Sequence, residues 1–174
     1  MSTTETNVMI DFETYGVRPN AVILSLGMVV VEDPKIFFYE APSREDQNHR
    51  STDESTLAWW STQTISPPRP TCSYNEFCDL VHNWLCSLSG DIILWANGSD
   101  FDIPILNSVY KDSGRLSPWK YNNVRDYRTF RKVFYEVPVT PFQGTKHNAL
   151  DDARNQAEHL KDILTYIEGR RDVI

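Results

Sequence analysis

With 174 residues and a formal net charge of −7, the chain is long enough to bury roughly 70% of its unfolded surface. It is too acidic to coat nucleic acid through a broad basic face. Aromatic residues are plentiful and no tract is low in complexity, which excludes general disorder. The acidic balance does not exclude a nuclease, because bound divalent cations offset carboxylates and attract phosphate.

Residues 1–7 are polar and lack the basic and apolar regions of a signal peptide, and no apolar run is long enough to cross a bilayer. A cytoplasmic protein with one domain over residues 1–174 and no membrane association is the expectation. Cys72, Cys78 and Cys86 form no CxxC pair, and their odd number favours free thiols.

Residues 8–12 form a short apolar run that ends in acids and reads as a strand. Residues 21–31 are rich in β-branched side chains and apolar on both faces, as a buried second strand would be. Residues 35–40, after the turn signal Glu32-Asp33-Pro34, form a third, and the short spacings favour an antiparallel meander. A polar loop covers residues 41–51. Thr52-Asp53-Glu54-Ser55 then starts a helix leading to Leu57, Trp59 and Trp60, and Pro67-Pro68-Arg69-Pro70 makes a stiff connector. Phe77, Val81, Trp84, Leu85 and Leu88 recur at helical spacing, so residues 74–88 form an amphipathic helix.

A fourth strand at residues 91–95 is broken by Asn97-Gly98. A helix follows from about Ser99, carrying Ile103, Leu106, Val109 and Tyr110, with Pro104 in its first turn. A short fifth strand over residues 122–126 precedes a helix at 127–134. The last helix spans about residues 148–167, with Ala149, Ala153, Ala157, Leu160 and Leu164 as core contacts. This order describes a mixed α/β sheet with helices packed on it.

Three acidic clusters lie at the ends of these elements. In Asp11-Phe12-Glu13-Thr14, strand alternation sends both carboxylates to one side and Phe12 to the other. Such a pair is self-repelling unless a cation or a proton intervenes, although an acidic strand end is more often a solvated turn. In Asn97-Gly98-Ser99-Asp100-Phe101-Asp102, Asp100 could cap the helix, and Asp102 is favoured by the helix dipole without any further role. In His147-Asn148-Ala149-Leu150-Asp151-Asp152, a histidine just before the helix and an acid five positions later can face one cleft. Helix geometry alone does not choose between Asp151 and Asp152.

Together, Asp11-x-Glu13, the Phe101-Asp102 pair after a Trp-x-Asn strand exit, and His147 followed five positions later by Asp152 resemble the motifs of DnaQ-like exonucleases of the DEDDh type. The resemblance covers nearly the whole chain in order. It is strongest to the phage DexA-type and mycobacterial-type exoribonuclease branch. It implies an RNase H-like fold with a five-stranded sheet, the first three strands antiparallel, and 3′→5′ exonuclease activity on single-stranded DNA or RNA that bears a 3′-hydroxyl. It also implies two Mg²⁺ or Mn²⁺ ions. Asp11 would bridge both ions, Glu13 and Asp152 would complete one site, and Asp102 would hold the other ion partly through water. His147 would take the proton from the attacking water, a task suited to imidazole. Asn148 stands where the sister DEDDy group has tyrosine, so the chain reads as the histidine type. Phe12, Thr14, Tyr15 and Phe101 beside the acids are the substrate-binding candidates.

Other signals are weaker. Cys78, His82 and Cys86 are spaced four apart and could belong to a zinc site, but no fourth ligand is evident. Trp59 and Trp60 could stack on bases, though at least one is expected in the core. Arg125 and Arg128 could contact phosphate or pair with Asp126, while Lys120, Arg131, Lys132 and Lys146 are scattered. A catalytically silent DNA mimic is the reading from another class. It requires acids spread over a face, whereas these occur at the motif positions. Neither the sugar preference nor the oligomeric state, a homodimer included, is written in the linear sequence.

Overall fold

The structure is a computed structural model that describes residues 4–171. Its centre is a five-stranded sheet of strand order β3-β2-β1-β4-β5. The first three strands, β1 (Glu5–Thr14), β2 (Ile23–Val30) and β3 (Phe37–Glu40), pair antiparallel. The last two, β4 (Asp91–Ala96) and β5 (Val124–Asp126), run parallel to β1 and to each other. The helices are α1 (Glu54–Thr62), α2 (Tyr74–Ser87), α3 (Ser99–Ser113), α4 (Tyr127–Val133) and α5 (Ala149–Arg171). None of them is long and apolar enough to cross a membrane.

Strand alternation divides the core into two layers. Val8, Ile10 and Phe12 of β1 join Phe77, Val81 and Leu85 of α2 and Leu106 and Val109 of α3 on one side. Met9 of β1 joins Ala153, Ala157, Leu160 and Ile163 of α5 on the other. Asp11 and Glu13 share the parity of Met9 and therefore sit on the α5 side. β2 is buried at every position, which explains its unbroken apolar run.

β1 begins earlier than the apolar pattern indicates. Glu5, Thr6 and Asn7 are polar but pair with Asp91, Ile92 and Ile93 of β4, a backbone ladder that side-chain hydropathy does not report. The segment 41–51 is irregular, as read, but it is not a solvated loop. Gln47 is buried and mimics a strand for Ile23, accepting from its N–H at 2.8 Å and donating to its carbonyl at 3.0 Å. Arg50 is buried too. It donates to the carbonyl of Ala21, to the Tyr74 hydroxyl, to the Asp112 carboxylate and to Ser108, which ties the β1–β2 connection to α2 and α3.

Gly27 of β2 pairs with Asp11 and faces the start of α5. A Cβ there would lie 2.3 Å from the Ala149 carbonyl oxygen and 2.5 Å from the Leu150 nitrogen. The missing side chain therefore lets the first turn of α5 rest on the sheet beside Asp11. Gly27→Ala is expected to destabilise the protein by about 1–3 kcal/mol in urea unfolding, the usual cost of overpacking. Unchanged stability would show that this close approach is not needed.

Candidate active site

β1 ends with a register shift between Glu13 and Thr14, and the acids lie just before it. Asp11, Glu13 and Asp152 each present a carboxylate oxygen, and all three oxygens lie within 4.8 Å of one another. Asp102 comes from α3 on the other side of the strand. It is buried, and its Oδ1 accepts the Phe12 backbone N–H at 2.9 Å. Asp102 stands outside the three-carboxylate group but close enough to raise the pKa of Asp11.

The electrostatics follow from this crowding. Burial, followed by the charges of Asp102, Glu13 and Asp152, pushes the Asp11 pKa well above the carboxylate range, and a hydrogen bond from Gln156 opposes the shift. Glu13 is pushed up to about 8, first by burial and then by Asp152 and Asp102. Asp102 rises to about 7 through burial, against the Phe12 amide and the Arg128 charge. Asp152 is also raised by burial, against the His147 amide and ring. Carboxylates this disfavoured as anions form an oxygen donor set that a hard divalent cation would stabilise.

His147 occupies the left-handed region at φ 63°, a conformation that histidine adopts more readily than most residues. Its backbone N–H donates to Asp152 Oδ2 at 2.7 Å, and its Nδ1 lies 4.0 Å from Glu13 Oε1. Trp59 packs edge-on against the ring at 4.8 Å between centroids. Asp151 does other work. It accepts the Thr145 N–H at 2.9 Å, which folds the preceding loop back onto α5.

A sequence profile of the 3′-5′ exoribonuclease Rv2179c-like domain matches residues 6–164. The chain belongs to that family. The exodeoxyribonuclease of Enterobacteria phage T4 is 26% identical, with 94% of this chain and 91% of that protein aligned. Among solved structures, the nuclease domain of 3′hExo, a DEDDh family member bound to rAMP, superposes with a TM-score of 0.60 at 16% identity, covering 92% of each chain. E. coli Exonuclease I in complex with a 5cy-dT13 oligonucleotide superposes with a TM-score of 0.65 at 11% identity, over 93% of this chain and 41% of that one. The fold is the RNase H-like fold of DEDDh nucleases, and the chain is a 3′-5′ exonuclease acting on nucleic acid. DEDDh nucleases work with divalent metal ions, to which the carboxylate cluster offers its oxygens.

Several expected contacts differ from the sequence reading. The Phe12 side chain is buried in the α2–α3 layer and cannot stack on a base; only its backbone adjoins the acids. Thr14 is buried, with its hydroxyl on the Gly16 carbonyl, and Phe101 packs against the same core layer. Tyr15 is partly exposed, and its hydroxyl accepts from Arg44 at 2.9 Å. Asp100 does not cap α3. The N-cap is Gly98, and the Ser99 amide goes to Asp126 instead. Asp126 also caps α4 through Thr129, so it forms no ion pair with Arg125 or Arg128 among the described residues. Cys78 is in the core, while Cys86 Sγ comes within 3.6 Å of the His82 ring. Trp60 is buried and donates to the Thr14 carbonyl, leaving Trp59 40% exposed beside His147.

Gln156, which belongs to none of the acidic motifs, donates from Nε2 to Asp11 Oδ1 at 3.0 Å. Its position one helical turn after Asp152 was the available signal.

The raised acids fix the sign of the pH dependence. The folded chain holds protons that the unfolded chain has already released, so without metal its stability falls as pH rises from about 4.5 to about 8. A millimolar divalent cation should therefore raise Tm more at pH about 8 than at pH about 6, because fewer protons compete. A metal-free Tm that climbs across this interval, or a metal effect that shrinks with pH, would contradict the crowding of these acids.

Proposed function

We propose that the protein removes nucleotides one at a time from the 3′-hydroxyl end of single-stranded DNA or RNA and releases 5′-mononucleotides. In this reading Asp11, Glu13, Asp102 and Asp152 hold two Mg²⁺ or Mn²⁺ ions. The observation that carries the reading is the convergence of Asp11, Glu13 and Asp152 within 4.8 Å, with His147 at their edge. Two such ions, when bound, acidify water and stabilise the charge that develops on phosphate oxygens.

The protein's own groups divide the remaining work. Asp11, Glu13 and Asp152 would supply oxygens to the ions, and Gln156 holds the Asp11 carboxylate in place. Asp102 has one oxygen committed to the Phe12 amide and keeps the other for a cation. His147 is partly open to solvent, is held by Asp152 through its backbone, and takes the proton from the attacking water. Trp59, beside it and partly exposed, offers an aromatic edge or face to a terminal base, and Tyr15 is partly exposed as well. A phosphate on the terminal 3′ oxygen would bring negative charge against Asp11 and Glu13, so a free hydroxyl is required.

The sugar preference depends on contacts to the 2′-hydroxyl. The family description names an exoribonuclease and the phage relative an exodeoxyribonuclease, so either substrate is consistent with kinship.

Incubation with end-labelled single-stranded DNA and RNA in Mg²⁺, Mn²⁺ or EDTA tests the whole reading. Asp11→Ala is expected to abolish turnover with the fold intact. His147→Ala should lower kcat by about 10²–10⁴-fold while sparing substrate affinity, as loss of a general base does. Oligonucleotides ending in a 3′-phosphate should be degraded far more slowly than their 3′-hydroxyl twins, and circles should survive. Cleavage of circles at a comparable rate, abolished by Asp11→Ala, would make the enzyme an endonuclease.

A further inference from the structure

We infer that Arg128 binds a backbone phosphate of the substrate strand next to the reaction centre, a contact distinct from those at the carboxylate cluster. The inference rests on reading that cluster as the reaction centre.

Arg128 lies in the first turn of α4, and its guanidinium crosses the turn from β4 into α3. A Cβ at Gly98 would meet Nη2, Cζ and Nη1 of Arg128 at 2.7, 2.8 and 3.0 Å. Gly98 thus leaves room for the guanidinium at the entrance to the helix that carries Asp102. Its Nη2 donates to the Asn97 carbonyl at 2.6 Å, and among the described residues this is its one hydrogen bond. No described carboxylate lies within ion-pair distance of it. Asp126, the natural partner two positions before, has both oxygens on backbone amides.

Several other arginines are committed elsewhere. Arg18, Arg50 and Arg115 pair with carboxylates. Arg125 donates to carbonyls of its own segment, while Arg131 and Arg154 lie over aromatic rings. Arg128 is also near enough for its charge to act on Asp102. A positive guanidinium held by one corner, with Nε and Nη1 free, beside a cluster that draws the scissile phosphate, suits two-point recognition of a neighbouring phosphate. In a chain of net charge −7, such a local cation offsets the repulsion between an acidic protein and a polyanion.

The test compares wild type, Arg128→Ala and Arg128→Lys on two substrates. One is a single-stranded oligonucleotide. The other is the p-nitrophenyl ester of thymidine 5′-monophosphate, whose only phosphate is the scissile one. Affinity for a labelled oligonucleotide is measured in parallel by anisotropy in EDTA as salt is varied. Arg128→Ala should raise KM for the oligonucleotide about tenfold, the fall in kcat/KM should be much larger than on the ester, and the log–log salt slope should lose about 0.7, the value for one phosphate contact on a single strand. Arg128→Lys should fall between the two.

Equal losses on both substrates with a lower Tm would overturn the proposal and make Arg128 a brace for the Asn97 turn. An unchanged salt slope would overturn it as well. The binding arm needs no catalysis, so failure of the reaction-centre reading, seen as full activity in Asp11→Ala, is told apart from failure of the Arg128 contact.

Discussion

The central constraint in this structure is the repulsion between carboxylates gathered at one strand end. Two full charges 4 Å apart, at an effective dielectric of about 20, repel by about 4 kcal/mol. Here Asp11, Glu13 and Asp152 share such a space, and Asp102 stands close behind Asp11. No arrangement of this kind forms for its own stability. The surrounding fold must impose it, as functional sites commonly require. The contacts that do so are identifiable: the Phe12 amide on Asp102, the Gln156 amide on Asp11 and the His147 amide on Asp152. Each donates a hydrogen to an anion without adding a neutralising charge. The site is thereby held in shape while its affinity for an external cation is preserved.

The sheet makes this possible because one strand addresses two helical layers at once. Side chains of one parity on β1 enter the α2–α3 layer, and those of the other parity meet α5. Asp11 and Glu13 follow the second parity. The Phe12 side chain follows the first, yet its backbone N–H is what Asp102 grips from α3. The strand end is therefore fixed from both sides, and Gly27 lets α5 come down beside it. Further out, the buried Arg50 fastens the chain between β1 and β2 to Asp112 and Ser108 of α3. Motion of that connection relative to Asp102 is restrained by the same guanidinium.

Much of this architecture was legible in the sequence because it depends on local periodicity. The β-branched run of β2, the helical spacing of Phe77, Val81 and Leu85, and the alanine stripe of α5 each state which face is buried. The three acidic motifs were legible as well, since their spacing is short. What escaped was set by long-range pairing. The polar start of β1 is a strand because β4 lies beside it. Gln47 and Arg50 sit in a polar stretch, and their burial follows from backbone groups of Ile23 and Ala21 that the fold brings to them. Gln156 meets Asp11 across 145 residues of chain, so its place one turn after Asp152 suggests the same face but does not name the partner.

The acids themselves show why composition and spacing stop short of roles. Asp151 and Asp152 are chemically identical neighbours, but adjacent helical positions differ by about 100° around the axis. One turns toward the cleft, and the other turns back to hold the loop that presents His147. Asp100 and Asp102 divide in the same way, the first exposed and the second buried against β1. Asp126 has the same carboxyl group as the ligand candidates and spends it on the amides that begin α3 and α4. Backbone N–H groups reach acids of both kinds, and what separates Asp11, Asp102 and Asp152 is burial among like charges. That crowding is what a cation would relieve. It is a property of the folded surroundings rather than of the residue, so it can be read only once the sheet and its helices are in place.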